Sequence, residues 1–174
     1  MAGQPRAGEG SVATTESSFD IVSQFSRQEL VNAVDQADRE IQQRYDLKSS
    51  GTRLELGDDA LTVTTDSDFS LKQVREVLIG KMARRQLDTR IFEWGKVEPA
   101  AKGTVRQVGK LQQGLSQDLA REVVKSLKAL PKVRPQIQGD AVRVFGKSRD
   151  DLQAAIKVVK AKEWPVPLQF VNYR

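Results

Sequence analysis

One pattern of residues occurs twice in this chain of 174 residues, and it limits the fold more than any other feature. The stretch LELGDDALTVTTDSDFSLKQV begins at Leu54, and QIQGDAVRVFGKSRDDLQAA begins at Gln136. The two align when one residue is gapped beside Asp58, and each reads as strand, Gly-Asp turn, strand, polar helix cap and helix. A chain of this length accommodates two small domains, so the repeat predicts two copies of one unit.

Periodic apolar residues predict two amphipathic helices in each half, and short alternating segments predict four strands in each half. The helical positions are Leu30, Val34, Ala37 and Ile41; Leu71, Val74, Leu78 and Met82; Leu119, Val123, Leu127 and Leu130; and Leu152, Ile156 and Val159. The strand segments are FDIVS from Phe19, RLEL from Arg53, ALTVT from Ala60, RIFEW from Arg90, TVRQVGKL from Thr104, PQIQ from Pro135, AVRVF from Ala141 and LQFVNY from Leu168. Of these, TVRQVGKL alternates poorly for a strand.

Each half therefore reads βαββαβ, which is the order of the ferredoxin-like fold. We expect an α+β protein in which each unit has a four-stranded antiparallel sheet with two helices on one face. The predicted boundaries are a flexible tail at 1–17, a first domain at 18–96, a linker at 97–103 and a second domain at 104–174. Because that linker is short, the sequence leaves open an exchange of strands between the two units.

The chain contains neither Cys nor His, and this excludes several kinds of chemistry. Disulfides, thiolate nucleophiles, Cys-ligated metal sites and His-based acid–base catalysis all lose their usual agents. The aspartates that occur in clusters, such as Asp58 and Asp59, stand at positions typical of turns. We therefore predict no metal site, no cofactor and no enzymatic activity.

The net charge of +5 is unevenly distributed along the chain. Residues 18–96 carry 12 basic and 14 acidic side chains, whereas residues 97–174 carry 15 and 7. A basic half is expected for a protein with a polyanionic partner, although solvated Lys-rich helices give the same count. Residues 1–17 contain no apolar run long enough for a signal or a membrane span, so we expect a cytoplasmic protein without membrane contact.

The sequence Gly-Lys-Ser at 146–148 suggests a phosphate-binding loop, but its spacing does not fit one. A Walker A loop has four residues between its first Gly and its Gly-Lys pair, and the nearest upstream glycine, Gly139, belongs to a predicted hairpin turn. The residues Ser-Arg-Asp-Asp at 148–151 instead have the pattern of a capping box, with two acids at the positive end of a helix. We predict a helix start here, and the alternative is that Lys147 and Arg149 contact a phosphate.

The sheet faces opposite the helices are the candidate ligand surfaces. In the second half, alternation directs the two valines of AVRVF toward the helices and leaves its Arg and Phe on the open face. Two glutamines of PQIQ lie beside them if Ile137 points inward. The candidates are Arg143 and Phe145 as a base platform, Gln136 and Gln138 as readers of the base edge, and Lys147, Arg149, Arg106 and Lys110 as phosphate partners.

An arginine, an aromatic ring and two amides can stack on a base and form hydrogen bonds with its edge. The first half offers only Arg53, Glu55, Thr62 and Thr64 on the equivalent face, which is nearly neutral and has no ring. The paired aromatic residues on which an RNA-recognition domain stacks bases are absent from AVRVFGKS, so we do not expect RNA to bind in the manner of that domain. The alternative for either face is that it packs against the other half or against a second subunit.

Five blocks of sequence, in matching order from Ser18 to Arg174, carry a resemblance to a known family. They are SFDIVS at 18–23, NAVDQADREIQQRYDLK at 32–48, LQQGLSQD at 111–118, IQGDAVRVFGKSRDDLQ at 137–153 and the C-terminal PLQFVNYR. Together they resemble the YajQ family of small bacterial proteins. The resemblance implies two ferredoxin-like domains, a bacterial cytosolic setting and binding of purine nucleotides, RNA or cyclic di-GMP, without an established enzymatic activity. It assigns no ligand-contacting residue.

We therefore expect a non-enzymatic protein that binds a purine nucleotide, a cyclic dinucleotide or RNA through its open sheet faces and interdomain region. The alternative function is a protein-interaction module that regulates a transcription factor through its open face. A nucleotide-processing enzyme is the least favoured reading, because the chain lacks His and Cys.

Overall fold

The computed structural model describes residues 16–174, and residues 1–15 of the predicted tail lie outside that part. The helices are α1 (Arg27–Gln43), α2 (Asp68–Arg84), α3 (Gln117–Ser126) and α4 (Arg149–Lys160). The strands are β1 (Ser17–Val22), β2 (Arg53–Leu56), β3 (Ala60–Thr65), β4 (Phe92–Trp94), β5 (Glu98–Pro99), β6 (Val105–Leu111), β7 (Val133–Gln138), β8 (Ala141–Gly146) and β9 (Gln169–Val171). Single turns of 3-10 helix occupy Thr89–Ile91 and Ala101–Gly103.

One compact unit, which we call unit 1, combines residues 16–24 with Gly114–Arg174. Its sheet has the strand order β7-β8-β1-β9, and all neighbouring strands are antiparallel. Phe19 and Ile21 of β1 are fully buried in one apolar cluster with residues of α3 and α4. In the order β1-α3-β7-β8-α4-β9, unit 1 is a βαββαβ fold with its helices on one face of the sheet.

The second compact unit, unit 2, consists of Phe25–Gln113. Its antiparallel sheet has the order β2-β3-β6-β4, with the short β5 also paired to β6. The helices α1 and α2 contribute Leu30, Ile41 and Val74 to a core that also contains Val63 of β3. The α+β class and the two antiparallel, ferredoxin-like units predicted from the sequence are thus confirmed.

The two repeats exchange their first strands. Strand β1 belongs to the first repeat but pairs with β8 and β9, whereas β6 opens the second repeat but pairs with β3 and β4. The compact units consequently differ from the contiguous domains predicted at 18–96 and 104–174. The segment predicted as a linker, 97–103, contributes β5 to the sheet of unit 2. The domain boundaries differ from the prediction because β6 forms its backbone hydrogen bonds with β3, at six positions, and with β4, at three.

The helical periodicity identifies the core positions of all four helices. Every predicted apolar position is buried except Leu130, which is half-buried beyond the end of α3. The segment RIFEW is only partly a strand, because the Asp88 side chain accepts a hydrogen bond from the amide of Arg90 at 2.8 Å and starts a 3-10 turn. The strand of this segment is therefore limited to Phe92–Trp94.

Strand β6 explains why TVRQVGKL alternates poorly. Its inward positions include Gln107, which is 6% exposed, and Gly109. A Cβ atom on Gly109 would lie 2.9 Å from two ring carbons of Trp94, so the glycine leaves room for the indole. A polar side chain and a glycine therefore occupy positions where alternation predicts apolar residues.

The exchange of strands predicts which fragment of the chain folds independently. Residues 25–113 contain all of unit 2 and are expected to unfold cooperatively in urea, as monitored by far-UV circular dichroism. The contiguous segment 18–96 lacks β6, so β3 keeps only β2 as a neighbour, β4 has no partner and the core is exposed. This segment is therefore expected to show no cooperative transition. A folded 18–96 as stable as 25–113 would contradict the exchange.

Candidate functional site

The sheet face of unit 1 that points away from α3 and α4 brings several predicted residues together. We call it the helix-free face and define it by Arg134, Gln136 and Gln138 of β7, Ala141, Arg143 and Phe145 of β8, and Ser18 and Asp20 of β1. Val142 and Val144 of β8 are fully buried in the core, so their neighbours along the strand point away from the helices. The antiparallel register places Gln136 opposite Arg143 and Arg134 opposite Phe145.

Arg143 is held by an ion pair at the centre of this face. Its Nε donates to Oδ1 of Asp20 at 2.8 Å, and its Nη2 donates to Oδ2 at 3.4 Å. Nδ2 of Asn172 donates to the same Oδ2 at 2.9 Å. The hydrogen bond from Arg143 holds the pKa of the buried Asp20 carboxyl below its ordinary value, against the opposing effect of desolvation. The Arg143 guanidinium is thus committed to a partner within the protein.

The ring of Phe145 is covered by a second arginine. The guanidinium carbon of Arg134 lies 4.4 Å from the centre of the Phe145 ring, and its Nη2 donates to Oε1 of Glu16 at 2.9 Å. The Arg134 side chain is 54% exposed, and an exposed ion pair of this kind contributes only about 0–1 kcal/mol. Arg134 therefore presents a planar cation that a ligand can contact or displace.

The two glutamines on β7 extend this face toward the hairpin turn. Both Gln136 and Gln138 are exposed, and they lie opposite Arg143 and Ala141 respectively. Ile137 lies opposite the buried Val142, on the side of the helices, which is the condition under which the glutamines share the other face. Each exposed amide offers a donor and an acceptor to a ligand.

The Gly-Lys-Ser segment is a helix start, as its sequence predicts. The Ser148 hydroxyl accepts a hydrogen bond from the amide of Asp151 at 3.1 Å and caps α4. Asp150 and Asp151 stand in the first helical turn, where they complement the helix dipole. Lys147 and Arg149 are exposed and follow β8 directly.

The structure does not bring all eight predicted residues into one unit. Arg106 and Lys110 lie on β6, which belongs to unit 2, at exposed positions of the sheet face opposite α1 and α2. Nη2 of Arg106 donates to Oε2 of Glu98 at 3.4 Å. The prediction that these two residues share a domain with Arg143 is wrong, because it assumed that β6 pairs within its own repeat.

Sequence reasoning missed Asp20, Asn172 and the role of Arg134 on this face. Arg134 has the same strand parity as Gln136, so alternation along β7 was a signal for it. Asp20 is the one charged residue in FDIVS, but its partner is 123 residues away and could not be identified from local pattern. Asn172 adopts a left-handed backbone with φ of 57°, which Asn tolerates better than most residues.

Within residues 16–174, no three or more Asp or Glu side chains come together in a way that could hold a metal ion. None of the helices in the same part of the chain is long and apolar enough to cross a membrane.

Comparison with known proteins identifies many relatives. Residues 17–174 match the family model described as "Nucleotide-binding protein YajQ-like". A "Nucleotide-binding protein" of Trichodesmium erythraeum is 57% identical over 159 residues, covering 91% of this chain and 98% of that protein. Proteins with the same name are 51% identical in Roseiflexus castenholzii, over 91% of this chain and 98% of the relative, and 51% identical in Trichormus variabilis, over 90% and 97%.

Replacing Asp20→Asn keeps the shape of the side chain and removes the charge that Arg143 binds. We expect the free energy of unfolding to fall by about 2 kcal/mol at neutral pH, the loss typical of a hydrogen bond to a charged group. Folding lowers the pKa of Asp20, so its contribution is fully present above the ordinary value of about 4 and is lost as the pH falls through the lower value of the folded state.

Urea unfolding of both proteins at a series of pH values measures this effect. The difference between wild type and Asp20→Asn should narrow as the pH falls into the acid range. The matched control Asp59→Asn changes an exposed carboxylate and should give no comparable difference at any pH. A difference for Asp20→Asn that stays constant from neutral to strongly acid pH would contradict the assignment.

Proposed function

Because this chain belongs to the YajQ-like family of nucleotide-binding proteins, we propose that it binds a purine nucleotide, a cyclic dinucleotide or RNA on the helix-free face of unit 1. The three ligands share a purine base and a phosphate, and the proposal concerns that shared chemistry. Binding occurs without turnover, in keeping with the names of the relatives, which describe binding.

The observation that carries the proposal is the pairing of side chains across β7 and β8. Opposed residues of antiparallel strands have Cβ atoms about 5 Å apart, so Arg134 with Phe145 and Gln136 with Arg143 form two adjacent rows. A base can stack on the row that contains the ring and the exposed guanidinium. The amide of Gln136 lies in the next row, two residues along β7 from Arg134, where it can form hydrogen bonds with the base edge.

Because Arg143 forms an ion pair with Asp20, we assign it a role other than the base platform predicted from the sequence. An arginine whose Nε and Nη2 both donate to a carboxylate keeps a fixed position. Arg143 is therefore a positioning residue, with Gln136 opposite it on β7 and Phe145 two residues further along β8. Phe145 and Arg134 form the stacking surface.

Charge favours unit 1 over unit 2 as the partner of a polyanion. The described part of unit 1 carries 12 basic and 8 acidic side chains, whereas unit 2 carries 15 and 14. Lys147 and Arg149 lie in the segment that follows Phe145, so they provide cations near the end of the stacking row. The two aspartates at the start of α4 disfavour a phosphate on the helix end itself. The side chains of Lys147 and Arg149 are therefore the proposed phosphate contacts.

Removal of the ring tests the stacking surface. We expect Phe145→Ala to weaken binding of AMP, cyclic di-GMP or a short oligoadenylate about tenfold, because base–aromatic stacking is worth about 1–3 kcal/mol. Calorimetry on the full chain measures it, with circular dichroism to establish that the variant is folded. The matched control Thr62→Ala changes the corresponding face of unit 2 and should bind as wild type does. Equal affinity of a folded Phe145→Ala for all three ligands would exclude this surface.

A salt series tests the phosphate contacts and separates the proposal from the protein-interaction alternative, which stays a prediction. Affinity for an oligonucleotide should fall as salt rises, because bound cations release counterions from the phosphates. Each of Lys147→Ala and Arg149→Ala should reduce the slope of log affinity against log salt by about one. Binding that does not depend on salt would argue against phosphate recognition.

A further inference from the structure

Unit 2 contains a cleft that the proposed function does not use. We call it the α2 cleft, and it lies between the first half of α2 and the segment around β5 and β6. Its volume of about 410 Å³ falls within the range of small-molecule sites. It is lined by Asp68, Phe69, Leu71, Lys72, Arg75, Val97 and Gln107.

A buried side chain in this cleft has an unused acceptor. Gln107 is 6% exposed, and its Nε2 donates to the carbonyl oxygen of Gly95 at 2.8 Å, which fixes the orientation of the amide. Its Oε1 is buried and accepts no hydrogen bond from any residue that the structure describes. Buried polar atoms are almost always paired, so an unpaired acceptor on a side chain that lines a cleft indicates a missing partner with an N–H or O–H group.

An unused donor lies in the same cleft. The Nε atom of Arg75 is buried and has no hydrogen-bond partner among residues 16–174. The guanidinium carbon of Arg75 lies 4.7 Å from the centre of the Trp94 ring, which itself packs closely over Gly109. No carboxylate of the described residues forms an ion pair with Arg75, so the stacking on Trp94 holds this cation in place while its charge has no acidic partner.

The helix adds a ring and a second cation to this surface. Phe69, Lys72 and Arg75 are spaced by three residues along α2, so they lie on one side of the helix. The Phe69 side chain is 72% exposed, which is unusual for a phenylalanine and leaves its ring face free. Asp68 also lines the cleft, one helical turn before Lys72, so Lys72 and Arg75 are the cations of this surface that can receive an acidic ligand group.

We propose that the α2 cleft is a second binding site, for a planar heterocycle that carries an amino group beside a ring acceptor and bears one acidic group. The amino N–H donates to Oε1 of Gln107, and the ring acceptor receives the Nε–H of Arg75. The ring stacks on Phe69, and the acidic group pairs with Lys72. An adenine mononucleotide has this chemistry. The site goes beyond the proposed function, since it involves none of the residues of the helix-free face.

Nuclear magnetic resonance of the ¹⁵N-labelled full chain tests this site directly. Titration with AMP is expected to shift the side-chain amide of Gln107 and the indole N–H of Trp94. Adenosine should bind more weakly than AMP, and inorganic phosphate should not shift Gln107. The analogue of AMP whose amino nitrogen carries two methyl groups lacks the N–H donor and should bind at least about tenfold more weakly.

Variants assign the contacts. Phe69→Ala removes an exposed ring and should weaken AMP binding at this site about tenfold. Lys72→Ala should weaken AMP and leave adenosine unchanged, since only AMP has the acidic group. Tyr45→Ala removes another exposed ring of unit 2 that does not line the cleft, and it should bind as wild type does.

Three outcomes would overturn the proposal. The first is that millimolar AMP shifts neither Gln107 nor Trp94, which would leave ordered water as the partner of the Gln107 acceptor. The second is that the dimethylated analogue binds as well as AMP. The third is that Phe69→Ala leaves the titration unchanged. Phe145→Ala should not alter these shifts, so failure of this proposal and failure of the proposed function are distinguishable.

Discussion

The sheet of unit 2 has as its middle strand a segment that comes from the second repeat. Strand β6 is hydrogen-bonded to β3 along one edge and to β4 and β5 along the other, so both of its edges are satisfied. Strand β1 has the equivalent position between β8 and β9 in unit 1. Because each middle strand is supplied by the other repeat, residues that build one face come from distant parts of the chain. Asp20 and Arg143 meet only through this exchange.

Local pattern was sufficient for the helices and for the direction of most side chains. The apolar spacing identified the buried positions of α1, α2 and α4, and the alternation in β8 correctly separated Val142 and Val144 from Arg143 and Phe145. Pairing partners could not be obtained in this way. The two repeats have the same order of elements, so a strand such as β6 fits the sheet of either repeat by its local sequence, and only long-range packing decides between them.

The same limit applies to the distribution of charge. A count along the chain assigned the excess of basic residues to 97–174, but the first part of that segment belongs to unit 2, with Arg106 bonded to Glu98. Within unit 1, Arg143 is bonded to Asp20 and Arg134 to Glu16, so two of the cations on the helix-free face already have acidic partners. Net charge therefore indicated the class of partner, whereas the contacts decide which cations remain available to it.

Strand β6 departs from regular alternation at Gln107 and Gly109, and both residues contact the segment 94–95. Gly109 leaves space for Trp94, Trp94 supports Arg75, and Gln107 binds the carbonyl group of Gly95 next to that tryptophan. A leucine at 107 would satisfy the alternation and remove a buried atom that lacks a partner. The packing of Trp94 accounts for Gly109, whereas Gln107 breaks the pattern without such a gain in packing, and a binding role is expected at a position of this kind. The poor alternation of TVRQVGKL, which made the strand hard to recognise, is therefore the sequence signal for the α2 cleft.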